Sequence, residues 1–232
     1  FVPQDIALYE DLSARENLRF FASLYGLRGA LRKERINEAL ELAGLQDRAD
    51  EKVKRFSGGM KRRLNIACAI AHHPKLVIMD EPTVGIDPQS RNHILSSIRT
   101  LRDNGMTILY TTHYMEEVEE ISTRILIMDQ GALIAQGTKE ELKEHLDAKQ
   151  TYVMEVENLQ PHNLDAFYSI EGVQEIVQQD TQLRISTLKN VENLDEIIRT
   201  ALKQQLVIRR LNCESINLET VFLELTGRRL RD

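Results

Sequence analysis

Residues 76–82 read LVIMDEP, a continuous apolar run that ends in two acidic residues and a proline. A short unbroken apolar run is typical of a parallel strand that is buried on both faces. An acidic residue at the end of such a strand lies at the carboxyl edge of the sheet, where ligands bind in open α/β folds. Asp80 is therefore a candidate ligand of Mg²⁺, and the adjacent Glu81 is a candidate to polarise an attacking water. An acidic loop with no chemical role is the alternative interpretation.

Helices and strands are predicted in alternation around this run. A capping box at residues 13–16 opens a predicted helix that stops near Gly26, and a second helix is predicted over residues 33–43. After the apolar run, the periodicity predicts a helix, a strand, a helix and a strand, over residues 89–103, 107–111, 115–121 and 125–129. Gln130 and Gly131 then form a predicted hairpin turn. The β-α-β-α-β order predicts a doubly wound parallel sheet and an α/β fold class.

The sequence pattern changes near residue 147. Short alternating segments predict strands and amphipathic segments predict helices, over residues 152–156, 173–177, 183–185, 194–202, 206–211 and 218–225. Their β-α-β-β-α-β order fits a small split βαβ sandwich of the α+β class. We therefore predict two domains, residues 1–146 and an accessory domain of residues 147–232.

The composition describes a globular chain and argues against several classes of protein. Hydrophobic residues make up 42% of the 232 residues, which is enough apolar material for a packed core. The formal net charge of −6 argues against a protein that coats nucleic acid, so no nucleic-acid partner is expected. No apolar run approaches the length of a membrane span and no leader is visible, so we expect a soluble intracellular chain. Cys68 and Cys213 are expected to be buried, reduced thiols.

A second candidate site is the sequence FSGGM at residues 56–60. Gly58 and Gly59 allow backbone amides to approach an anion closely, Ser57 adds a hydroxyl, and the following helix directs its positive end to the same place. A plain turn is the commoner interpretation of Ser-Gly-Gly. The next three residues, KRR at 61–63, are either a phosphate patch or, as we favour, the solvated first turn of that helix.

A third candidate is His113, which directly follows the predicted strand that ends near Thr112. A histidine at the carboxyl end of a strand is placed to contact anionic oxygen, such as the γ-phosphate of a nucleotide. His113 is therefore expected to lie at the same sheet edge as Asp80 and Glu81.

In their order and spacing, these segments resemble the nucleotide-binding domain of ATP-binding cassette proteins, over residues 1 to about 146. The signature motif of that family is matched with Phe and Met where Leu and Gln are usual. The matches, in chain order, are Gln4 to the Q-loop glutamine, residues 56–60 to the signature motif, residues 76–81 to the Walker B strand with its catalytic glutamate, residues 84–87 to the D-loop, and His113 to the switch histidine. Residues 218–227 are similar to the tail of a subgroup whose cassettes power exporters of drugs, lipids, polysaccharides or sodium.

The resemblance implies a head-to-tail dimer in which two ATP molecules lie between the subunits. It implies that each ATP contacts two sets of residues, which are Gln4, Asp80, Glu81 and His113 of one subunit and Ser57, Gly58, Gly59 and Met60 of the other. By the same resemblance, Asp80 and Gln4 organise Mg²⁺, Glu81 activates water and His113 stabilises the γ-phosphate. Asp87, in the D-loop, would couple the two sites.

The function implied is that of an ATPase subunit that powers an exporter through a separate membrane permease, at the cytoplasmic face of the membrane. Gln4 and the helices over residues 13–44 form the surface expected to receive the permease. A soluble cassette protein of DNA repair or translation is the alternative, as is a non-catalytic dimerisation or regulatory module. Only residues 5–56 separate Gln4 from Ser57, whereas repair-type relatives carry a long coiled coil there.

One motif of the family is absent from this sequence. A phosphate loop requires G-x-x-x-x-G-K-[S/T], and no glycine of the chain is followed by lysine. We therefore expect an N-terminally truncated cassette that is inactive alone, with a naturally degenerate ATPase as the alternative. An uncovered sheet edge beside residues 76–79 would favour a homodimer or oligomer.

Overall fold

The computed structural model describes residues 1–144, 149–158, 164–188, 190–214 and 217–226. The chain divides into two compact units, Phe1–Ser122 and Thr123–Asp232, here called the N-terminal and C-terminal units. The predicted domain boundary at residues 146 and 147 falls outside the described residues and stays a prediction. Along the described residues, no helix combines the length and apolar character needed to cross a bilayer.

The N-terminal unit contains helices and two regular strands in the predicted order. The elements are α1 (Ala14–Leu24), α2 (Gly29–Leu42), two short 3-10 turns (Gln46–Arg48 and Val53–Arg55), α3 (Gly58–Ile70), β1 (Leu76–Asp80), α4 (Pro88–Asp103), β2 (Thr107–Thr111) and α5 (Met115–Ile121). The capping box that opens α1 is present, because the Ser13 hydroxyl accepts from the Glu16 amide and the Glu16 carboxylate accepts from the Ser13 amide. Helix α2 begins four residues earlier than predicted, at Gly29.

Strands β1 and β2 pair in parallel, with Asp80 opposite Thr111 at their carboxyl ends. Val2 forms a parallel bridge on the other side of β1, where its amide donates to the Ile78 carbonyl (2.8 Å) and its carbonyl accepts from the Asp80 amide (2.9 Å). This bridge carries the segment around Gln4 to the end of β1. The parallel arrangement therefore gathers three chain segments at one edge.

The prediction that β1 is buried on both faces is wrong. Val77 and Met79 are buried in a core with side chains of α3 and α4, whereas Leu76 is 53% exposed and Ile78 is 36% exposed. A strand buries both faces only when elements cover both sides of the sheet. Among the described residues of the N-terminal unit, this core covers one face of β1.

Helix α3 belongs to two cores. Its residues Leu64 and Ala67 pack with α1 and α2, in a cluster that includes Leu18 and Leu40. Its residues Ile66 and Ile70 belong to the core beside β1. Because α3 packs on two sides, the position of its N-terminus, at the Ser-Gly-Gly sequence, is fixed relative to both cores.

The C-terminal unit opens with a hairpin of β3 (Ile125–Asp129) and β4 (Ala132–Gly137), followed by α6 (Lys139–Glu144). Gln130 and Gly131 both have positive φ, 49° and 79°, as the two central residues of a tight hairpin turn require. The predicted β-α-β-α-β order of elements is present, but among the described residues β3 pairs only with β4, antiparallel, and adds no strand to the parallel β1–β2 pair. A two-residue connection permits only antiparallel pairing.

The rest of the C-terminal unit is a four-stranded antiparallel sheet with helices. Its elements are β5 (Lys149–Glu157), α7 (Asp165–Tyr168), β6 (Val173–Gln179), β7 (Gln182–Leu188), α8 (Leu194–Lys203), β8 (Val207–Glu214) and α9 (Leu218–Thr226). The strand order β6-β7-β5-β8 is that of a split βαβ sandwich, as predicted. Phe167, Met154 and Ile197 are fully buried in its core. Cys68 is buried as predicted, but Cys213 on β8 is exposed.

Candidate functional site

Asp80 and Glu81 are fixed at the end of β1 by one residue of β2. The Thr111 hydroxyl donates to Asp80 Oδ1 (2.7 Å) and accepts from the Glu81 amide (3.0 Å). The same Glu81 amide approaches the Thr111 carbonyl at 3.2 Å. These bonds hold Glu81 at φ = 42°, a left-handed conformation that costs a non-glycine residue about 1–3 kcal/mol. Such strain is characteristic of functional sites, where the surrounding structure enforces a particular side-chain direction.

Gln4 and His113 converge on the Glu81 carboxylate. Gln4 Nε2 donates to Glu81 Oε2 at 3.0 Å, and His113 Nδ1 lies 3.1 Å from Glu81 Oε1. A carboxylate only accepts, so Nδ1 of His113 carries the proton in this contact. The Glu81 and His113 side chains are 30% and 40% exposed, so both are accessible to a ligand and to water. Three residues singled out separately in the sequence therefore form one hydrogen-bonded group.

The position of Gln4 is set by a buried arginine. Arg62, on α3, is 4% exposed and donates to the carbonyl of Pro3 (2.9 Å) and to that of Gln4. Burial lowers the pKa of Arg62, which is the direction expected for a cation removed from water. The expectation that residues 61–63 form a solvated first turn is wrong. Arg62 lies in the second turn of α3, and its long side chain reaches back to the segment around Gln4.

The neighbouring cations of α3 also have protein partners. Lys61 pairs with Glu10, and Arg63 donates to the Ala43 carbonyl at 2.6 Å. Each of these contacts ties α3 to a preceding loop or helix end. The basic run at residues 61–63 is therefore a set of structural links between segments.

The two glycines of the signature-like sequence have different surroundings. A Cβ built on Gly59 would lie 2.0 Å from Ser90 Oγ and 2.9 Å from Asp87 Oδ2, so only glycine fits where α3 approaches α4. A Cβ built on Gly58 would meet no atom within 4 Å. Ser57 caps α3 by accepting from the Met60 amide at 3.3 Å. Gly59 thus brings the two helix starts together, and Gly58 leaves the first turn open.

Asp87 caps the start of α4. Its Oδ1 accepts from the Ser90 amide at 2.9 Å, and the hydrogen bonds from Ser90 lower the pKa of the Asp87 carboxyl. Its other oxygen is the one that faces Gly59. Asp87, Ser57, Gly58, Gly59 and Met60 therefore form a second group, at the starts of α3 and α4. The ligand contacts assigned to both groups stay predictions.

The side-chain oxygens of Asp80 and Gln4, beside Glu81, fit Mg²⁺ only when another ligand joins them. Asp80 offers a carboxylate and Gln4 an amide oxygen, which are the hard ligands that Mg²⁺ prefers. In the described part of the chain, no three His, Cys, Asp or Glu side chains cluster to hold a metal by themselves. Magnesium commonly uses one or two carboxylates together with substrate phosphates. The donor set therefore suits a metal that arrives with a nucleotide.

Comparison with known proteins agrees with this architecture. A family profile described as "ABC transporter" matches residues 1–84. The linearmycin resistance ATP-binding protein LnrL of Bacillus subtilis is 46% identical over the whole chain, which covers 75% of that protein. The Nod factor export ATP-binding protein I of Cupriavidus metallidurans is 39% identical over the whole chain (73% of that protein), and the daunorubicin resistance ATP-binding protein DrrA2 of Streptomyces coeruleorubidus is 33% identical over 97% of the chain (71% of that protein).

A solved structure described as the ATP-binding subunit of an ABC transporter is also similar. It matches with a TM-score of 0.56 and 32% identity, over 62% of the present chain and 60% of that one. The fold and the sequence matches define an α/β protein of the P-loop cassette type. The chain belongs to the ABC transporter family, among its ATP-binding proteins.

Two residues that hold this site were not among the predicted ones. Thr111 is opposite Asp80 in the β1–β2 register, so the rule that parallel strand ends meet could have identified it. Arg62 gave no such signal, because a basic residue near a helix start is usually solvated. Its partners are carbonyl groups 58 and 59 positions away in the sequence.

Proposed function

We propose that this chain is the greater part of an ATP-hydrolysing subunit that drives an exporter through a separate membrane protein. The observation that carries the proposal is the convergence of Gln4 and His113 on Glu81, at the carboxyl ends of parallel strands. The names of the similar proteins, which concern antibiotic resistance and Nod factor export, support the export direction. The subunit would therefore work at the cytoplasmic face of a membrane, beside its membrane partner.

Glu81 is the proposed general base. Its carboxylate is held between an amide and an imidazole, so it is oriented to accept a proton from a water that attacks a phosphate. With the Nδ1 proton of His113 directed to Glu81, Nε2 donates to a phosphate oxygen only when the ring is protonated. Asp80 and the Gln4 amide oxygen are the proposed Mg²⁺ ligands. When bound, Mg²⁺ neutralises charge on the phosphates.

The second group of residues is proposed to contact an ATP held by another subunit. The first-turn N–H groups of α3 have no partners within the helix; that of Met60 donates to the Ser57 hydroxyl, and an anion would satisfy those of Gly58 and Gly59. Gly58 keeps that turn open, and Asp87 lies directly against Gly59. In a head-to-tail dimer, Asp87 would then connect the phosphate contact made by one subunit to the site of the other.

We also infer that residues 1–232 on their own bind ATP weakly and do not turn it over. The reason is that they contain no G-x-x-x-x-G-K-[S/T] sequence to cradle the β- and γ-phosphates. Calorimetric titration of Mg-ATP into the 232-residue chain, with phosphate release assayed in parallel, tests this inference. Tight binding or real hydrolysis would mean that another surface holds the phosphates.

The exposed apolar residues of the β1–β2 sheet support a further part of the proposal. Leu76, Ile78 and Leu109 are each at least 36% exposed, and uncovered apolar sheet faces promote association. We therefore expect the 232-residue chain to form dimers or larger oligomers in light scattering. A strictly monomeric species at high concentration would contradict this expectation.

Residues 147–232 are proposed as an accessory docking or dimerisation domain.

The function as a whole is tested with the assembled transporter. Purification of the complete subunit in mild detergent should recover a membrane protein, and the complex should hydrolyse ATP and export a substrate in vesicles. The competing proposal of a soluble cassette protein predicts recovery of ribosomes or DNA instead. Absence of ATP hydrolysis by the assembled complex would reject the proposed function.

A further inference from the structure

Glu117, on α5, is a buried carboxylate that accepts four hydrogen bonds. Its side chain is fully excluded from solvent. The four donors come from three segments of the N-terminal unit, which are the loop after β1, helix α4 and the end of β2. They are Thr83 Oγ1 (2.7 Å) and Arg91 Nε (2.7 Å) to Oε1, and Tyr110 Oη (2.8 Å) and Thr112 Oγ1 (2.8 Å) to Oε2.

A buried carboxylate is tolerated only when both of its oxygens are satisfied. Each oxygen of Glu117 accepts two bonds, which meets this condition. Burial raises the pKa of Tyr110, so its hydroxyl stays protonated and acts as a donor. The two carboxylate oxygens of Glu117, as acceptors, therefore match a surrounding set of three hydroxyls and one guanidinium.

The contacts of Glu117 enclose the segment that carries His113. The Thr112 hydroxyl, which donates to Glu117, also accepts from the Tyr114 amide at 3.0 Å. Arg91, which donates to Glu117, stacks on the Tyr114 ring at 4.7 Å, and that ring lies 4.2 Å from the His113 ring. Both sequence neighbours of His113 are thus connected to the same carboxylate.

The segment that follows Glu81 is also connected to Glu117. Thr83, two residues after Glu81, is buried and donates to Glu117. The strained turn at Glu81 and the loop at His113 are therefore both hydrogen-bonded, through Thr83 and Thr112, to the Glu117 carboxylate. We propose that Glu117 is a positioning residue that holds His113 within hydrogen-bond reach of Glu81, and this proposal deepens the proposed function on which it rests.

The test separates positioning from simple structural support. Glu117→Gln keeps the size of the side chain, but one of its two heteroatoms becomes a donor that cannot accept from the surrounding hydroxyls. Glu116→Gln is the matched control, the same change one residue earlier on a side chain that is 92% exposed and 4.0 Å from Arg91 Nη2, because so exposed an ion pair contributes little. The readout is the imidazole ¹⁵N spectrum of the 232-residue chain, with His113 assigned by its absence in His113→Gln.

The expected result is a shift of the His113 Nδ1 resonance in Glu117→Gln and no shift in Glu116→Gln. Unchanged amide resonances of α1 and α2 would show that the N-terminal unit, which contains Glu117, remains folded. Should Glu117→Gln fail to fold, Thr112→Val removes one link and Thr112→Ser preserves its hydroxyl as the control. An unchanged His113 resonance in the folded Glu117→Gln variant, or in Thr112→Val, overturns the proposal.

Kinetics in the assembled transporter provide the second readout. We expect Glu117→Gln to lower kcat at least about tenfold while the KM for ATP stays within about twofold, because positioning affects the chemical step that general-base catalysis accelerates. Parental kcat in this variant would overturn the proposal and leave the proposed function standing. If the parental complex itself fails to hydrolyse ATP, the proposed function fails, and the His113 resonance still decides the question of positioning.

Discussion

The two units of the chain bury polar groups for different purposes. Among the described residues, the buried charged side chains are Arg62 and Glu117, and both lie in the N-terminal unit. Arg62 donates to the Gln4 carbonyl, and Glu117 accepts from the hydroxyl of Thr112, the residue before His113. Each buried charge therefore holds a segment that carries a candidate site residue. Burying a charge is costly unless it is fully bonded, so these charges appear where loops must be fixed against the sheet.

The C-terminal unit buries neutral polar groups that serve the fold. Asn193 donates to the Thr187 hydroxyl (2.6 Å) and to the Glu171 carbonyl (2.7 Å), which ties the start of α8 to the sheet. Apart from Asn193 and Thr187, the buried side chains described in this unit are hydrophobic, with Phe167 and Met154 fully buried. The N-terminal unit thus uses buried charged side chains to hold loops, whereas the described part of the C-terminal unit buries neutral polar side chains.

The largest effect is expected at Glu81. Glu81→Gln keeps the shape of the side chain but removes its basicity, so ATP hydrolysis by the assembled transporter should fall about 10²–10⁴-fold. ATP binding should persist, because the contacts to the nucleotide do not depend on that charge. Phosphate release and ATP binding are measured on the same preparation.

The control for this experiment lies in the other unit. Glu175→Gln makes the same chemical change on the exposed surface of β6, and it should leave hydrolysis at the parental rate. Parental turnover in Glu81→Gln would remove Glu81 from the mechanism. A large loss in Glu175→Gln would show that the C-terminal unit takes part in the chemistry.

The next effect is a loss of stability confined to the C-terminal unit. Phe167 is fully buried, and Phe167→Ala should destabilise that unit by about 3–5 kcal/mol through lost burial and a cavity. Hydrogen exchange should increase over residues 149–226 and stay unchanged around Glu81. Tyr168→Ala, one residue on at a site that is 52% exposed, is the control and should change stability by less than about 0.5 kcal/mol. Increased exchange in both units would contradict the division of roles.

The sequence predicted where the candidate residues lie better than it predicted which residues hold them in place. Asp80, Glu81 and His113 were placed correctly at strand ends because strand periodicity and parallel topology are local signals. Glu117 was missed because Glu116 and Glu117 look alike in the sequence, as an acidic pair on a helix. Only the tertiary fold distinguishes them, by surrounding one with four donors and leaving the other exposed.

The errors about burial have the same origin. The exposure of Leu76 and the burial of Arg62 depend on which elements cover a surface, and that information is not local. Hydrophobic pattern predicts which face of a strand can be buried. It does not predict how much of that face the rest of the chain will cover.

A smaller effect is expected from the glycine pair at the start of α3. Gly59→Ala places a methyl group against Ser90 and should destabilise the N-terminal unit by about 1–3 kcal/mol. Gly58→Ala is the matched control, and its stability should be unchanged or slightly higher because alanine favours helices. Urea unfolding measures both. Adding Ser90→Gly to Gly59→Ala should restore part of the loss, and an equal cost at both glycines would contradict the close approach of α3 and α4.

The smallest effect is the pH dependence of the α4 cap. Hydrogen bonds from Ser90 lower the pKa of Asp87 in the folded chain, so this carboxylate stabilises the fold at a pH above its unfolded pKa of about 3.9. The contribution is lost as the pH falls through the lower, folded pKa. Asp87→Asn keeps a capping oxygen but cannot titrate. The variant should therefore be least stable relative to the parent near neutral pH, and the difference in unfolding free energy should shrink below about pH 4. Urea unfolding between pH 6 and 3 measures this difference. A difference that stays constant across this range would show that the Asp87 charge adds nothing to the cap.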